Sequence, residues 1–378
     1  MSGWGCSTPE STRNTSTEPR YLKPSYAEGF RWRSLNCAAA GQGASCLEIL
    51  GPNRSQVLTT VYRDSAAYLN DTGVPKEAEA VVLASQSKGL TTLSSTHVAL
   101  MEPWDPNLNS WSGGGYLEYV QNPVAEERVA QGRVLDFGGS PEWDREAIAG
   151  STFRAFCMYP YGNPLEGMAW AESVPVVPIL EYLEPTPLGR AEWMKALAWL
   201  VDEPAMGRAD SAFGEIAAAY EQLKQQSISD RDSMVVFTGS VDQGAWSAPG
   251  GESFIARLLE DAGAKYLFAD RSGAENIAIS IEEMVVMRDQ TDAWGMVLYH
   301  PEAPLISRQA LMALDPRNEM FLPRSGKVFV ANTAECDYFG WWVAHPEAML
   351  ANLRELFHAQ SADIQGLGIA PCFQWIAP

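Results

Sequence analysis

Between residues 202 and 227 the apolar positions recur in steps of three and four. Met206, Ala209, Phe213, Ile216, Tyr220 and Leu223 therefore fall on one face of a helix. Asp202 is placed to cap its N-terminus, and Pro204 falls in the first turn, where a missing N–H costs little. The run Ser227-Ile228-Ser229-Asp230 ends it. At the helical rise it is roughly 35 Å long, enough to cross a domain. Periodicity alone leaves two readings, an ordinary packed helix and a rigid spine between two lobes.

Before this helix the pattern is first strand-like, then alternating. GFRWRSL, SCLEIL, SQVLTTVYR and EAVVLAS read as strands separated by the turn signals GQGAS, GPNRS and NDTGVP, which predicts an antiparallel β entry. KGLTTLS is a further strand that runs through Ser95-Thr96-His97 into the short helical stretch VALME, cut by Pro103. An aromatic, Gly-rich loop follows. PVAEERVAQG, PEWDREAIAG and LEGMAWAES then read as helices between the strands RVLDFG, FRAFCMYP and VPVVPILEYLEP, and LGRAEWMKALAWLV as an amphipathic helix leading into the spine. Beyond the spine the strands DSMVVFTGS, AKYLFAD, DAWGMVLYH and GKVFVAN alternate with helices, and QGAWSAPGG is a turn or an extra strand. Such alternation predicts a parallel α/β sheet on each side of the spine, with strand-end loops facing a cleft. The divisions are a polar tether over 1–25, an N-terminal lobe with its β extension over 26–201, the connecting helix over 202–227 and a C-terminal lobe over 228–378.

Composition narrows the function. The formal charge of −20 argues against nucleic acid, whose binders need a basic face. No run of about 20 apolar residues occurs, so no membrane-spanning helix is expected in the chain as given. The histidines His97, His300, His345 and His358 show no HExxH spacing, and no CxxC pair exists. Cys37 and Cys46 flank AAAGQGAS and are either a disulfide closing a hairpin or two separate thiols; Cys336 with Cys372 is a further pairing. Cys6 begins a Ser/Thr-rich tether, as in a lipid-anchored protein after signal removal, although no apolar signal core precedes it. The motifs of a serine hydrolase, a P-loop and a dinucleotide fold are missing, and paired carboxylates such as Glu142/Asp144 and Glu282/Glu283 read as solvated helix faces. The chain is expected not to be an enzyme and to carry no cofactor.

Several stretches together resemble the helical-linker substrate-binding proteins of ABC importers for iron-siderophores, haem and vitamin B12, in a branch often found in Bacteroidetes. They are VVLASQSKGLTTLSSTHVALME with its Ser94-Ser95-Thr96-His97 turn, EYLEPTPLGRAEW from Glu181 to Trp193, GAWSAPGGES from Gly244 to Ser253, YAEGF at Tyr26 and GKVFVAN at Gly326. The likeness covers about 26–360. It implies two Rossmann-like lobes joined by a single long helix, capture of a metal chelate, and delivery to a membrane permease at an extracytoplasmic, periplasmic address. A monomer is expected. Importers of this group are docked through a surface Glu on each lobe; Glu252 matches that position, and Glu102 lies near its counterpart. Departures fall on the cleft-facing segments: the loop 103–119, AIAGSTFRAFCMYPYGNP, and TAECDYFGWWVAHPEAM, where His345-Pro346 replaces the family's Arg-Pro.

Flat chelates are best held by aromatic faces and a few polar anchors. The candidates are Trp111, Tyr116, Tyr159, Tyr161 and Tyr182 from the first lobe and Trp246, Tyr338, Trp341 and Trp342 from the second; each taken singly is equally a core residue. His97 is a candidate ligand for haem iron or a chelate's metal, or else caps its own turn. Glu181 and Glu184 either bind a cationic group or metal or bond backbone N–H groups of the PTPLGR turn. His300, ending MVLYH, is a cleft-edge candidate. The rival to a chelate binder is a degenerate scaffold that only contacts other proteins.

Overall fold

The computed structural model describes residues 20–35, 45–71, 73, 77–85, 87, 89–159, 174–226, 233–301, 307–358 and 370–377. The chain opens on a five-stranded sheet of β1 (Tyr21–Leu22), β2 (Phe30–Ser34), β3 (Ser45–Leu50), β4 (Val57–Tyr62) and β5 (Glu79–Val82), in that order. The first four are antiparallel, but β5 runs parallel to β4. A parallel partner needs a longer crossover than a tight turn, and the helix Ser65–Asn70 lies in it, which the turn signals did not reveal. Inside the sheet the Arg33 guanidinium bonds Glu48 at 2.6 Å and Asp71 at 2.6 and 3.0 Å, and the Tyr62 hydroxyl donates to Asp71 at 2.7 Å. Cys46 is a buried free thiol in this sheet, which fits the reading of separate thiols rather than a disulfide-closed hairpin; Cys37 lies outside the described residues.

The first lobe follows with β6 (Leu90–Thr92), β7 (Trp111–Gly114), β8 (Leu135–Asp136), β9 (Ala155–Met158) and β10 (Val176–Pro178). All are parallel, in the order β10-β9-β6-β7-β8. The second lobe contains β11 (Val235–Thr238), β12 (Ser240–Asp242), β13 (Ala245–Pro249), β14 (Lys265–Tyr266), β15 (Asn276–Ile279), β16 (Ala293–Leu298), β17 (Lys327–Asn332) and β18 (Phe373–Trp375). Its main sheet is ordered β14-β11-β16-β17-β18, parallel except for β18. QGAWSAPGG supplies half of the β12-β13 hairpin, which pairs with β15 in a small separate sheet. Cys336 and Cys372 form a disulfide that ties the segment after β17 to the start of β18.

The spine is the helix Glu203–Lys224, with Asp202 capping it by accepting the Ala205 N–H at 2.7 Å. Its stripe is buried at Ala205, Ala209, Phe213, Ile216, Ala217 and Tyr220. Near its start Arg208 donates to the Trp104 carbonyl of the first lobe at 3.0 Å. Near its end the Tyr220 hydroxyl donates to Asp261 of the second lobe at 2.8 Å. It also packs along the helix Pro346–His358. The helix therefore touches both lobes, as a connector must.

The preceding helix Pro187–Val201 is not amphipathic. Every one of its residues is buried, Arg190, Glu192 and Lys195 included. Charged groups there need partners, because an unpaired buried charge is costly. Glu192 accepts the backbone N–H groups of Ser25 at 2.9 Å, Tyr26 at 2.7 Å and Ala27 at 2.9 Å, and Lys195 sits 3.1 Å from its other side. Glu184 accepts the N–H groups of Glu28 and Gly29, both at 2.8 Å, and the Trp193 indole at 2.8 Å. YAEGF and EYLEPTPLGRAEW are thus the two halves of one clasp. Glu184 bonds the N-terminal segment rather than its own PTPLGR turn.

The lobes also meet directly. The Thr96 hydroxyl donates to the Phe339 carbonyl, and the Gln121 amide donates to the Thr333 carbonyl at 2.7 Å. The helix Trp341–Ala344 lies against the helix Ser95–Ala99. Asp337 accepts the Trp341 N–H at 2.7 Å. Burial pushes its carboxyl up to about 6, opposed by the Trp341 N–H and reinforced by Glu102 across the contact.

Two outcomes are expected. Glu192→Gln leaves Lys195 with only the more exposed Asp210, 2.8 Å away, and replaces a buried acceptor of three backbone N–H groups by an amide, which should cost about 3 kcal/mol. Urea unfolding should register it as a lower midpoint at unchanged slope. Asp337 has a folded pKa above its unfolded value, so its carboxyl is disfavoured in the folded state once ionised. Its contribution is therefore lost as pH rises from about 4 toward about 6. Asp337→Asn should flatten that part of the stability–pH curve, and parallel curves for the two proteins would contradict the assignment.

Candidate functional site

In an open α/β sheet a ligand sits outside the carboxyl ends of the strands, near the point where strand order reverses. Both lobes present those ends to each other, as the Thr96–Phe339 and Gln121–Thr333 bonds require. On the first lobe Tyr116 follows β7 in a left-handed conformation at φ 56°. Its hydroxyl accepts the Ser140 N–H at 3.1 Å, and its ring meets Trp143 edge-on at 5.1 Å. A Cβ at Gly139 would lie 2.6 Å from the Tyr116 ring, so only glycine lets that loop seat it. Tyr119 stands 6.4 Å from Tyr116 and is exposed. Tyr159, half-buried after β9, has its phenol pushed up by burial and then by Tyr116, which places the two phenols near one another.

On the second lobe His300 follows β16. Its N–H donates to Asn332 at 3.0 Å, and the Asn332 amide returns a bond to the His300 carbonyl at 3.0 Å, which ties the ends of β16 and β17 together. Tyr299, next to it in the chain, and Phe339, in the segment after β17, are exposed at 67% and 55%. Between the ends of β11 and β16, where the strand order reverses, lies a cavity of ≈ 330 Å³. Thr238, Ser240, Met296, Val297 and Tyr338 are among its walls. That volume is within the range of small-molecule sites.

The expected site residues separate into two groups. Tyr116, Tyr159 and His300 stand at the facing strand ends, and Tyr338 contributes to the cavity wall. Tyr338 is otherwise buried, which pushes its phenol up to about 12. The others lie elsewhere. Trp111 is buried and donates to the Thr92 hydroxyl at 3.1 Å. Trp246 is fully buried, donates to the Thr238 carbonyl at 3.1 Å and packs 4.6 Å from Phe321. Both are strand residues whose indoles are buried in the core. Trp342 is buried, whereas Trp341 is half-buried and stacks on His345 at 4.3 Å. Tyr182 is half-buried against the core. Tyr161 and Cys6 lie outside the described residues.

His97 neither caps its turn nor faces the cleft. It is fully buried with Nε2 3.5 Å from Glu181, whose other oxygen is 3.4 Å from Arg190. The Arg190 guanidinium lies over the Phe254 ring of the second lobe at 4.4 Å. This buried group supports the lobe contact and is closed to a ligand. Glu102 is half-buried: burial pushes its carboxyl up, against the pull of His345 and the Asn122 amide. Glu252 is exposed and accepts the Gly273 N–H at 3.0 Å. Tyr119, Trp143, Tyr299 and Phe339 were missed as rim residues. The available signal was their place one to seven residues past a strand rather than within it.

Among the described residues no three His, Cys, Asp or Glu side chains converge on a position for a bare metal ion. No helix among them is long and apolar enough to cross a membrane.

The family model described as periplasmic binding protein matches residues 171–294. An uncharacterized lipoprotein of Methanocaldococcus jannaschii is 20% identical over 64% of this chain, which spans 61% of that relative's length. The periplasmic haem-binding protein HutB of Vibrio cholerae aligns over 72% of this chain and 100% of its own, with a TM-score of 0.55 at 12% identity. The ABC-type Fe3+-hydroxamate transport protein of Saccharomonospora viridis aligns over 72% of this chain and 93% of its own, with a TM-score of 0.51 at 16% identity. The fold is accordingly that of the two-lobed, helix-linked periplasmic binding proteins.

Proposed function

We propose that this chain is an extracytoplasmic substrate-binding protein that captures a metal chelate between its lobes and hands it to an ABC permease. The observation that carries this reading is the meeting of two parallel sheets at their carboxyl ends, each edge bearing aromatic loops and one backed by a cavity at the strand-order reversal. Solved proteins of the same fold are named for haem and for Fe3+-hydroxamate transport. An iron-siderophore is the preferred ligand, with haem or cobalamin next. Haem requires an axial ligand; His97 is fully buried, and Tyr116, Tyr159 and His300 are the candidates at the rim. A siderophore brings its iron already coordinated and needs only shape and aromatic contact. Glu252, exposed on the second lobe, is the candidate permease contact. The matched family and these neighbours are binding proteins, in keeping with capture rather than turnover.

A second reading rests on the segment after β17. Its bonds from Phe339 and Thr333 to the first lobe already join the facing edges. A scaffold that contacts only proteins would tolerate such a bridge, whereas a chelate binder must accommodate its ligand around it.

Titration with ferric siderophores, haemin and cobalamin, followed by intrinsic fluorescence, is expected to give saturable quenching by one of them at micromolar or lower concentration. No response to any, with capture of a protein partner, would favour the scaffold. Within the chelate reading, Tyr116→Ala and Phe339→Ala should each weaken binding about tenfold or more, as truncated aromatic anchors do. Trp246→Ala should instead lower stability by about 3 kcal/mol or more through loss of a buried ring. Unchanged affinity in both rim variants would move the site elsewhere.

A further inference from the structure

A second cavity of ≈ 620 Å³ opens on the connecting helix, away from the strand ends. Pro103 of the first lobe forms one wall, Ala212, Ile216 and Ala219 of the connecting helix another, and Ala348 and Ala351 of the helix Pro346–His358 a third. The small side chains leave the space because helices packed through alanine still diverge where no larger residue fills the gap. The half-buried Trp341 and its stacking partner His345 stand at the cavity.

Its polar lining is carboxylates and amides, with the His345 imidazole beside one of the carboxylates. Glu215 and Glu347 contribute carboxylates, Gln222 and Gln226 amides, and no Lys or Arg is present among the lining residues. Glu347 is the telling group. One oxygen lies 3.0 Å from His345 Nδ1, whereas the other is buried without a hydrogen-bond partner. A buried carboxylate oxygen without a donor beside an indole and an alanine floor matches an ammonium group carried on an apolar body.

We propose that this cavity binds an organic amine, held through its ammonium by Glu347 and Glu215 and through its body by Trp341 and the alanine walls. The site lies on the connecting helix, apart from the strand ends, and is argued from different residues than the chelate reading. It touches the first lobe, the connecting helix and the second lobe together, so occupancy braces the lobes against one another.

The test uses the full chain and three probes that share one ring: 2-phenylethylammonium, neutral 2-phenylethanol and phenylacetate, each followed by calorimetry. The cation is expected to give saturable binding, the alcohol to bind at least about tenfold more weakly, and phenylacetate not to bind. Glu347→Gln should weaken the cation about tenfold. Ala219→Phe, which fills the cavity, should abolish binding, with circular dichroism confirming that it folds. Binding of the alcohol and anion as well as the cation would overturn the proposal. So would no saturation by the cation up to about 10 mM, or cation binding that survives in Glu347→Gln at full strength. A chelate titration run on the same variants separates this outcome from failure of the interlobe site.

Discussion

A carboxylate in a helix buried on every side must be surrounded by donors, and the architecture follows from how Glu192 meets that demand. Its donors are three consecutive backbone amides at residues 25–27 and the ammonium of Lys195. Glu184 repeats the device one step along, at residues 28 and 29. The N-terminal sheet is thereby fixed to the helix on which the connecting helix packs. Backbone donors suit this role because they need no side-chain ordering and cannot be lost by substitution, except to proline. The same helix sends Arg190 toward Glu181 and Phe254, so its buried charges touch the N-terminal sheet, the first lobe and the second lobe in turn.

Much of this was legible in the chain and some was not. The spine was readable because a single amphipathic stripe survives wherever one face is solvated, and the observed helix differs from 202–227 by only a residue or a few at each end. The helix before it was misread as amphipathic because its polar residues are buried and paired, and composition cannot distinguish a paired buried charge from a solvated one. The β5 pairing went unrecognised because strand direction depends on the connection, whose helix is only six residues long. The Cys336–Cys372 link was readable only as a pairing guess, since it joins residues 36 apart that β18 brings together by turning antiparallel.

For the site, residue type was a poorer guide than position. Trp111 and Trp246 drew notice as large aromatics, yet both lie within strands and fill core. Tyr116 and His300 lie just past strands and reach the facing edges. An indole is worth burying wherever a layer can accept its N–H, and here the Thr92 hydroxyl and the Thr238 carbonyl do so. His97 shows the same point for a polar residue: Ser-Ser-Thr-His reads as a turn whose histidine either binds a ligand or caps the turn, but His97 is buried beside Glu181, which Arg190 also approaches.

The clasp also dictates an order of synthesis. The bond from Ser25 to Glu192 spans 167 residues, and that from Gly29 to Glu184 spans 155. A chain emerging from its N-terminus cannot close the first lobe until Glu192 has appeared. Once the rest of that helix has followed, with the Trp199 and Leu200 carbonyls that accept from Arg63 and Arg154 and then Arg208 for the Trp104 carbonyl, these partners of the first lobe are in place, while the second lobe still lies ahead. A domain-by-domain route is then open: the first lobe can be complete before the connecting helix has anything to join it to, and the lobe contact is the last thing made.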